Sequence, residues 1–142
     1  MRIVIREIHA ARSAGALNDE WFIVENVGDR AFSTAGCTVA VGKGKGRLRS
    51  VGTLDPGFTL QPQERVRLIT GNPGKKAHGK VPEPASDARN YHLFLASPIV
   101  GGPGTVVALS LHQHEVARAT FDPGAESGVA PEREGTATAD GG

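Results

Sequence analysis

Apolar residues recur at every second position along most of this chain, as in Ile3-Val-Ile-Arg-Glu-Ile8 and Arg65-Val-Arg-Leu68. Because successive side chains of a β-strand point to opposite faces, this period predicts strands with one buried face. Turn sequences separate the alternating segments, for example Asp55-Pro-Gly57 and Gly101-Gly-Pro-Gly104. Many short strands with turn signals between them exclude a helical bundle and favour a β-sandwich or a barrel.

The alternation predicts nine short strands. They are Arg2–His9, Glu20–Asn26, Cys37–Val41, Arg47–Val51, Phe58–Leu60, Arg65–Thr70, His92–Ala96, Thr105–Leu109 and Val116–Phe121. In the second of these, Phe22 and Val24 alternate with Trp21 and Ile23, so both faces are apolar and we expect a central strand. The polar residues 71–90 contain three prolines and predict a long mobile excursion.

The length of 142 residues is that of one domain. We expect the folded domain to occupy residues 1–121. Beyond Phe121, Val129 is the only large apolar residue, and acidic residues, glycine and alanine predominate. Such a segment cannot bury enough surface to order itself, so residues 122–142 are predicted to be a disordered acidic tail.

The N-terminus and the single cysteine indicate the compartment. The first strand reaches Glu7 before any apolar run of signal-peptide length forms, which predicts a cytoplasmic protein. Cys37 cannot form an internal disulfide and is expected to be a buried, inert thiol. The apolar stretch Leu93–Leu111 is interrupted by two prolines and three glycines, so we expect no membrane span.

Several segments, taken in order, carry a family resemblance. They are Ile3-Val-Ile-Arg-Glu-Ile8, Glu20-Trp-Phe-Ile-Val-Glu-Asn26 with Gly28, Phe32 with Gly36-Cys-Thr-Val39, Leu60-Gln-Pro62 with Arg65-Val-Arg-Leu68, and Gly104–Leu109 with Val116–Phe121. Their order and spacing resemble the lamin-tail domain, an immunoglobulin-like module, over Ile3 to Phe121. The chain looks like a bacterial stand-alone member.

The resemblance implies a fold and a class of function. It implies an all-β, immunoglobulin-like two-sheet β-sandwich of about eight or nine short strands. It also implies a non-catalytic interaction or structural module, since the family acts as an adhesive or targeting domain on proteins, chromatin or other polymers. We therefore expect no enzymatic activity, no catalytic residues and no cofactor, and a protein partner as ligand.

The charge of the chain is uneven along its length. Between Lys43 and Lys80 nine basic residues stand against two acidic ones, whereas three basic residues stand against eight acidic ones from Val81 onward. The basic residues at every second position define a candidate polyanion-binding stripe for nucleic acid. Its members are Lys43, Lys45, Arg47, Arg49, Arg65 and Arg67. The alternative is a solvated face whose charges keep a sheet edge from aggregating.

Two histidines near the C-terminal end raise the question of a metal site. His112 and His114 would face the same way on a strand, and two imidazoles can share a divalent cation. The ligand set is incomplete, so the segment Leu111–Glu115 is predicted to be the polar tip of the last hairpin, without a bound metal. Exposed strand edges leave a homo-oligomer open as well.

Overall fold

The computed structural model describes residues 2–13 and 15–131, and ten strands form the framework of this part. The strands are β1 Ile3–His9, β2 Trp21–Asn26, β3 Phe32–Ser33, β4 Thr38–Lys43, β5 Arg49–Thr53, β6 Thr59–Leu60, β7 Arg65–Ile69, β8 Ala88–His92, β9 Thr105–Leu111 and β10 His114–Thr120. Leu17–Asp19 and Lys76–His78 each form a single 3-10 turn.

The strands form two four-stranded sheets that pack face to face. The first sheet has the order β1-β2-β7-β8 and the second the order β10-β9-β4-β5, while β3 and β6 make a separate short pair. Strands β1 and β10 are neighbours across the two sheets. Strands β8 and β5 therefore end the sheets on the opposite side of the sandwich. The predicted all-β, immunoglobulin-like two-sheet sandwich is confirmed, with β3 added to the expected strands.

The core lies between the sheets and contains the alternate residues that the sequence marks. Phe22 and Val24 of β2 are 1% and 0% exposed, and Val39 and Leu109 from the facing sheet are both fully buried. Strand β2 lies between β1 and β7, as its two apolar faces predict. Because β2 is hydrogen-bonded on both edges, the side chains on its two faces are held in place, including those of the outer face described below.

The connection from β7 to β8 differs from the prediction. Strand β8 is Ala88–His92 and pairs with β7 in parallel, so the expected strand at His92–Ala96 is wrong. A parallel pair requires a long crossover, and residues 70–87 provide it. This crossover is not a free excursion, because the side chains of Arg67 and Asn90 donate to its carbonyls at Glu83 and Pro82. We call residues 71–87 the cover segment.

The domain also extends beyond its predicted end at residue 121. The amide of Ile8 donates to the carbonyl of Ser127, and that of Ala130 donates to Thr120. Gly128, with φ of +79°, lies against the Ile8 backbone where a Cβ would collide. Residues 122–131 are therefore part of the domain, because the chain reverses through Gly128 and pairs with two strand edges. The rest of the predicted tail, residues 132–142, lies outside the described residues.

Candidate interaction surface

The basic residues at 43–49 lie on the hairpin between β4 and β5. Lys43, Lys45, Arg47 and Arg49 are all exposed, and only Lys43 and Arg49 belong to strands. Lys43 Nζ donates to the carbonyl of Pro103 at 3.3 Å. Within residues 2–13 and 15–131, Lys45, Arg47 and Arg49 have no carboxylate within 4.0 Å. We call residues 43–49 the basic hairpin.

The other two members of the predicted stripe, Arg65 and Arg67, do not join the basic hairpin. Both belong to β7, which lies in the other sheet. Arg65 Nε is 3.0 Å from Glu25 Oε1, and its Nη1 is 3.2 Å from Asp87. The structure therefore does not bring the six residues together in one stripe, because the basic hairpin and β7 belong to different sheets.

Arg67 is instead a buried residue beneath the cover segment. It is 8% exposed, and its Nη1 donates to the carbonyl of Glu83 at 2.9 Å and to Asn90 Oδ1 at 3.2 Å. Its guanidinium carbon lies 4.6 Å from the Trp21 ring centroid. The imidazole of His9 also stacks on Trp21, with ring centroids 4.8 Å apart and an interplanar angle of 6°. Trp21 is thus a packing residue of the outer face of the first sheet.

Other polar side chains attach the first part of the cover segment, residues 71–79. Asn18 Nδ2 donates to the carbonyls of Asn72 at 3.1 Å and Gly79 at 3.0 Å. The amide of Asn72 donates to His78 Nδ1 at 3.0 Å, and His92 Nδ1 lies 3.0 Å from the Gly71 carbonyl. These histidines are therefore used in structural hydrogen bonds to the backbone.

A buried carboxylate, Glu20, is the polar feature that the sequence analysis missed. Glu20 is 1% exposed, and its Oε1 accepts hydrogen bonds from Thr70 Oγ1 at 2.7 Å and the Ile99 amide at 2.8 Å. Its Oε2 accepts from the Val100 amide at 2.9 Å. Charge-assisted bonds of this kind tie the start of β2 to the loop before β9. Their donors lie 50 to 80 residues away in the chain, so no local pattern reveals them.

Phe94 is the exposed large hydrophobic residue of the described part of the chain, with 63% of its surface accessible. Its φ is +57°, which is rare for a bulky side chain. The next residue, Leu95, packs so closely on β5 that a Cβ at Gly52 would lie 3.0 Å from its Cδ2. Phe94 is therefore exposed directly before a residue that packs on β5, and its ring centroid lies 6.1 Å from that of His92. The sequence did not reveal this exposure, because the alternation in the segment Leu93–Ala96 is typical of a strand.

The remaining candidates have structural roles. His112 and Gln113, with φ of 51° and 69°, form the two-residue turn between β9 and β10, which confirms the predicted hairpin tip. Among the described residues, no group of three or more histidine, cysteine or acidic side chains could hold a metal ion. Cys37 is fully buried, as expected, and burial raises the pKa of its thiol.

Glu25 forms the most connected ion pair on the outer face. Burial raises the pKa of Glu25, but hydrogen bonds and charge from Arg6 and Arg65 outweigh this effect and hold the pKa below its ordinary value. Arg6 Nε and Arg65 Nε lie 2.9 Å and 3.0 Å from Glu25 Oε1. This network occupies Arg65 and makes it a poor candidate for binding a second anion.

The comparisons with known proteins give no family. No protein-family model matches this chain, and no curated protein matches it. In the described residues, no helix is long and apolar enough to cross a membrane.

Proposed function

We propose that this domain is a non-catalytic interaction module that binds a protein partner through the side of the sandwich formed by β5, the basic hairpin and Phe94. The observation that supports it is that basic side chains without an ionic partner among residues 2–13 and 15–131 lie on the same side of the sandwich as an exposed aromatic residue. Aromatic and arginine residues are the side chains that most often anchor protein interfaces. The lamin-tail resemblance implies the same class of function.

The use of the polar side chains supports a binding role over catalysis. Glu20, His78 and His92 all form hydrogen bonds within the fold, and Cys37 is shielded from solvent. A nucleophilic mechanism requires an accessible nucleophile beside a base. These four groups are committed to packing or to hydrogen bonds within the fold.

Affinity capture from the native lysate tests the proposal. We expect the wild-type chain to retain a specific protein that Arg47→Glu loses and Arg2→Glu retains, because Arg2 is equally charged and exposed but directly precedes β1 in the other sheet. Capture by all three chains alike would contradict the proposed surface. Hydrolysis of a generic ester, phosphodiester or glycoside that is lost on mutation of one residue would overturn the non-catalytic role.

A second candidate function is polyanion binding, such as DNA binding, by the basic hairpin alone. The exposure of Lys43, Lys45, Arg47 and Arg49 favours it, whereas Arg65 and Arg67 are excluded by their partners. Binding through four phosphate contacts would weaken steeply with salt. A gel-shift titration decides: no shift at about 50 mM salt, or a shift unaffected by Lys43→Glu with Lys45→Glu, removes this candidate.

A further inference from the structure

We propose that the free edge of β5 receives an extended acidic peptide of the protein partner, which adds a fifth strand to the second sheet. The inference rests on the proposed function and specifies its ligand. In this mode of recognition, backbone hydrogen bonds provide affinity, and pockets or charges beside the edge provide specificity.

The backbone edge of β5 is open for such pairing. Strand β5 ends the order β10-β9-β4-β5 and, within the described residues, pairs with β4 alone. A bulge leaves Val51 without a partner between the pairs Val39–Gly52 and Ala40–Ser50. Bulges and basic side chains keep edges from pairing with copies of themselves. The edge is therefore protected against pairing with the same edge of a second copy, and it remains open to an acidic strand.

The basic side chains beside the edge favour an acidic peptide over a second copy of this chain as the added strand. A second copy paired in parallel and in register would place Arg49 against Arg49, and like charges directly opposite each other in a strand pair are destabilising. An acidic peptide would instead supply the carboxylates that these three side chains lack in the described part of the chain.

Phe94 adds an apolar contact at the other end of the edge. It follows β8 and lies next to Leu95, which packs on Gly52. At about 3.3 Å per residue, Gly52 is roughly 10 Å along β5 from Arg49. A matching ligand strand therefore carries acidic residues at one end and a large apolar residue about three positions away from them.

A labelled peptide of alternating glutamate and valine with one terminal leucine is the probe, and fluorescence anisotropy is the readout. We expect saturable binding that Arg47→Glu or Phe94→Ser weakens by about tenfold, whereas Arg2→Glu leaves it unchanged. An analogue with N-methylated backbone amides should not bind, because it cannot pair with a strand. Circular dichroism and thermal melting confirm that each variant is folded.

Three results would overturn this docking mode. They are no binding up to about 1 mM peptide, equal binding of the N-methylated analogue or of poly-glutamate, and self-association in sedimentation that Phe94→Ser abolishes. If the peptide does not bind while a protein is still captured from the lysate in an Arg47-dependent way, the strand-docking proposal is wrong and the proposed function stands. If the peptide binds but no protein is captured, the proposed function is contradicted.

Discussion

Arg67 and Trp21 lie on neighbouring strands, and the guanidinium of Arg67 covers the indole ring of Trp21 at 4.6 Å from its centroid. The same guanidinium holds the cover segment through the carbonyl of Glu83 at 2.9 Å. One side chain thus joins the outer face of the first sheet to the crossover that makes β8 parallel to β7. Cation–π contacts of this type strengthen when they are removed from water.

The chain has a single tryptophan, which makes the cover segment easy to follow. We expect Arg67→Ala to release the cover segment and to raise the acrylamide quenching of Trp21 fluorescence. The control is Arg30→Ala, since Arg30 is an exposed residue between β2 and β3. Equal quenching of Trp21 in the wild type and in Arg67→Ala would show that Arg67 does not hold the cover.

Replacement of the buried carboxylate should destabilise the domain. In Glu20→Gln the new amide group faces one of the backbone donors, so a buried donor loses its acceptor at a cost of about 1–3 kcal/mol in the free energy of unfolding. Urea denaturation measures the change. Glu115→Gln is the control, since its ion pair with Arg118 is exposed and such pairs contribute about 0–1 kcal/mol. An effect of Glu20→Gln no larger than the control would contradict this role.

The stability of the fold should decrease in acid through Glu25. A carboxylate whose pKa is lowered by folding stabilises the native state above the ordinary glutamate value of about 4.3. That stability is lost as the pH falls through the lowered pKa, because the unfolded chain then binds the proton more readily. We expect Glu25→Gln to flatten the acid limb of the melting temperature against pH. Asp29→Asn, at an exposed turn residue, should leave the limb unchanged; equal curves for wild type and Glu25→Gln would refute this origin.

The thiol of Cys37 should be unreactive until the protein unfolds. It is fully buried in the core, and burial raises its pKa, so little thiolate is present and reagents have no access. We expect iodoacetamide to modify Cys37 in concentrated urea but not in buffer, as read by the mass of the intact chain. Modification at similar rates in both conditions would mean that Cys37 is exposed by fluctuations of the native state.

The sequence predicts the strands that follow the binary pattern and fails where pairing is non-local. Strands β1, β2, β7 and β10 lie within a residue or two of their predicted bounds, because each has one core-facing row of apolar residues. Strand β8 has the sequence Ala-Arg-Asn-Tyr-His, which lacks such a row, and its position is set by parallel pairing with β7. The crossover could be recognised only once that pairing was known.

The candidate surface could likewise be predicted only where its residues are local in sequence. The basic hairpin is continuous in sequence, so its four residues could be found from their spacing. Separation of Arg65 from the hairpin depends on the sheet order. The exposure of Phe94 depends on a left-handed backbone within an apolar run.

Site-specific photo-cross-linking in the native lysate tests the central claim most directly. A photoreactive amino acid replaces Lys45 in the basic hairpin, and in a matched variant it replaces Gln113 at the turn between β9 and β10. We predict one discrete cross-linked protein from position 45 and none from position 113. No cross-linked protein from position 45, or the same products from both positions, would contradict an interaction module that uses the β5 side of the sandwich.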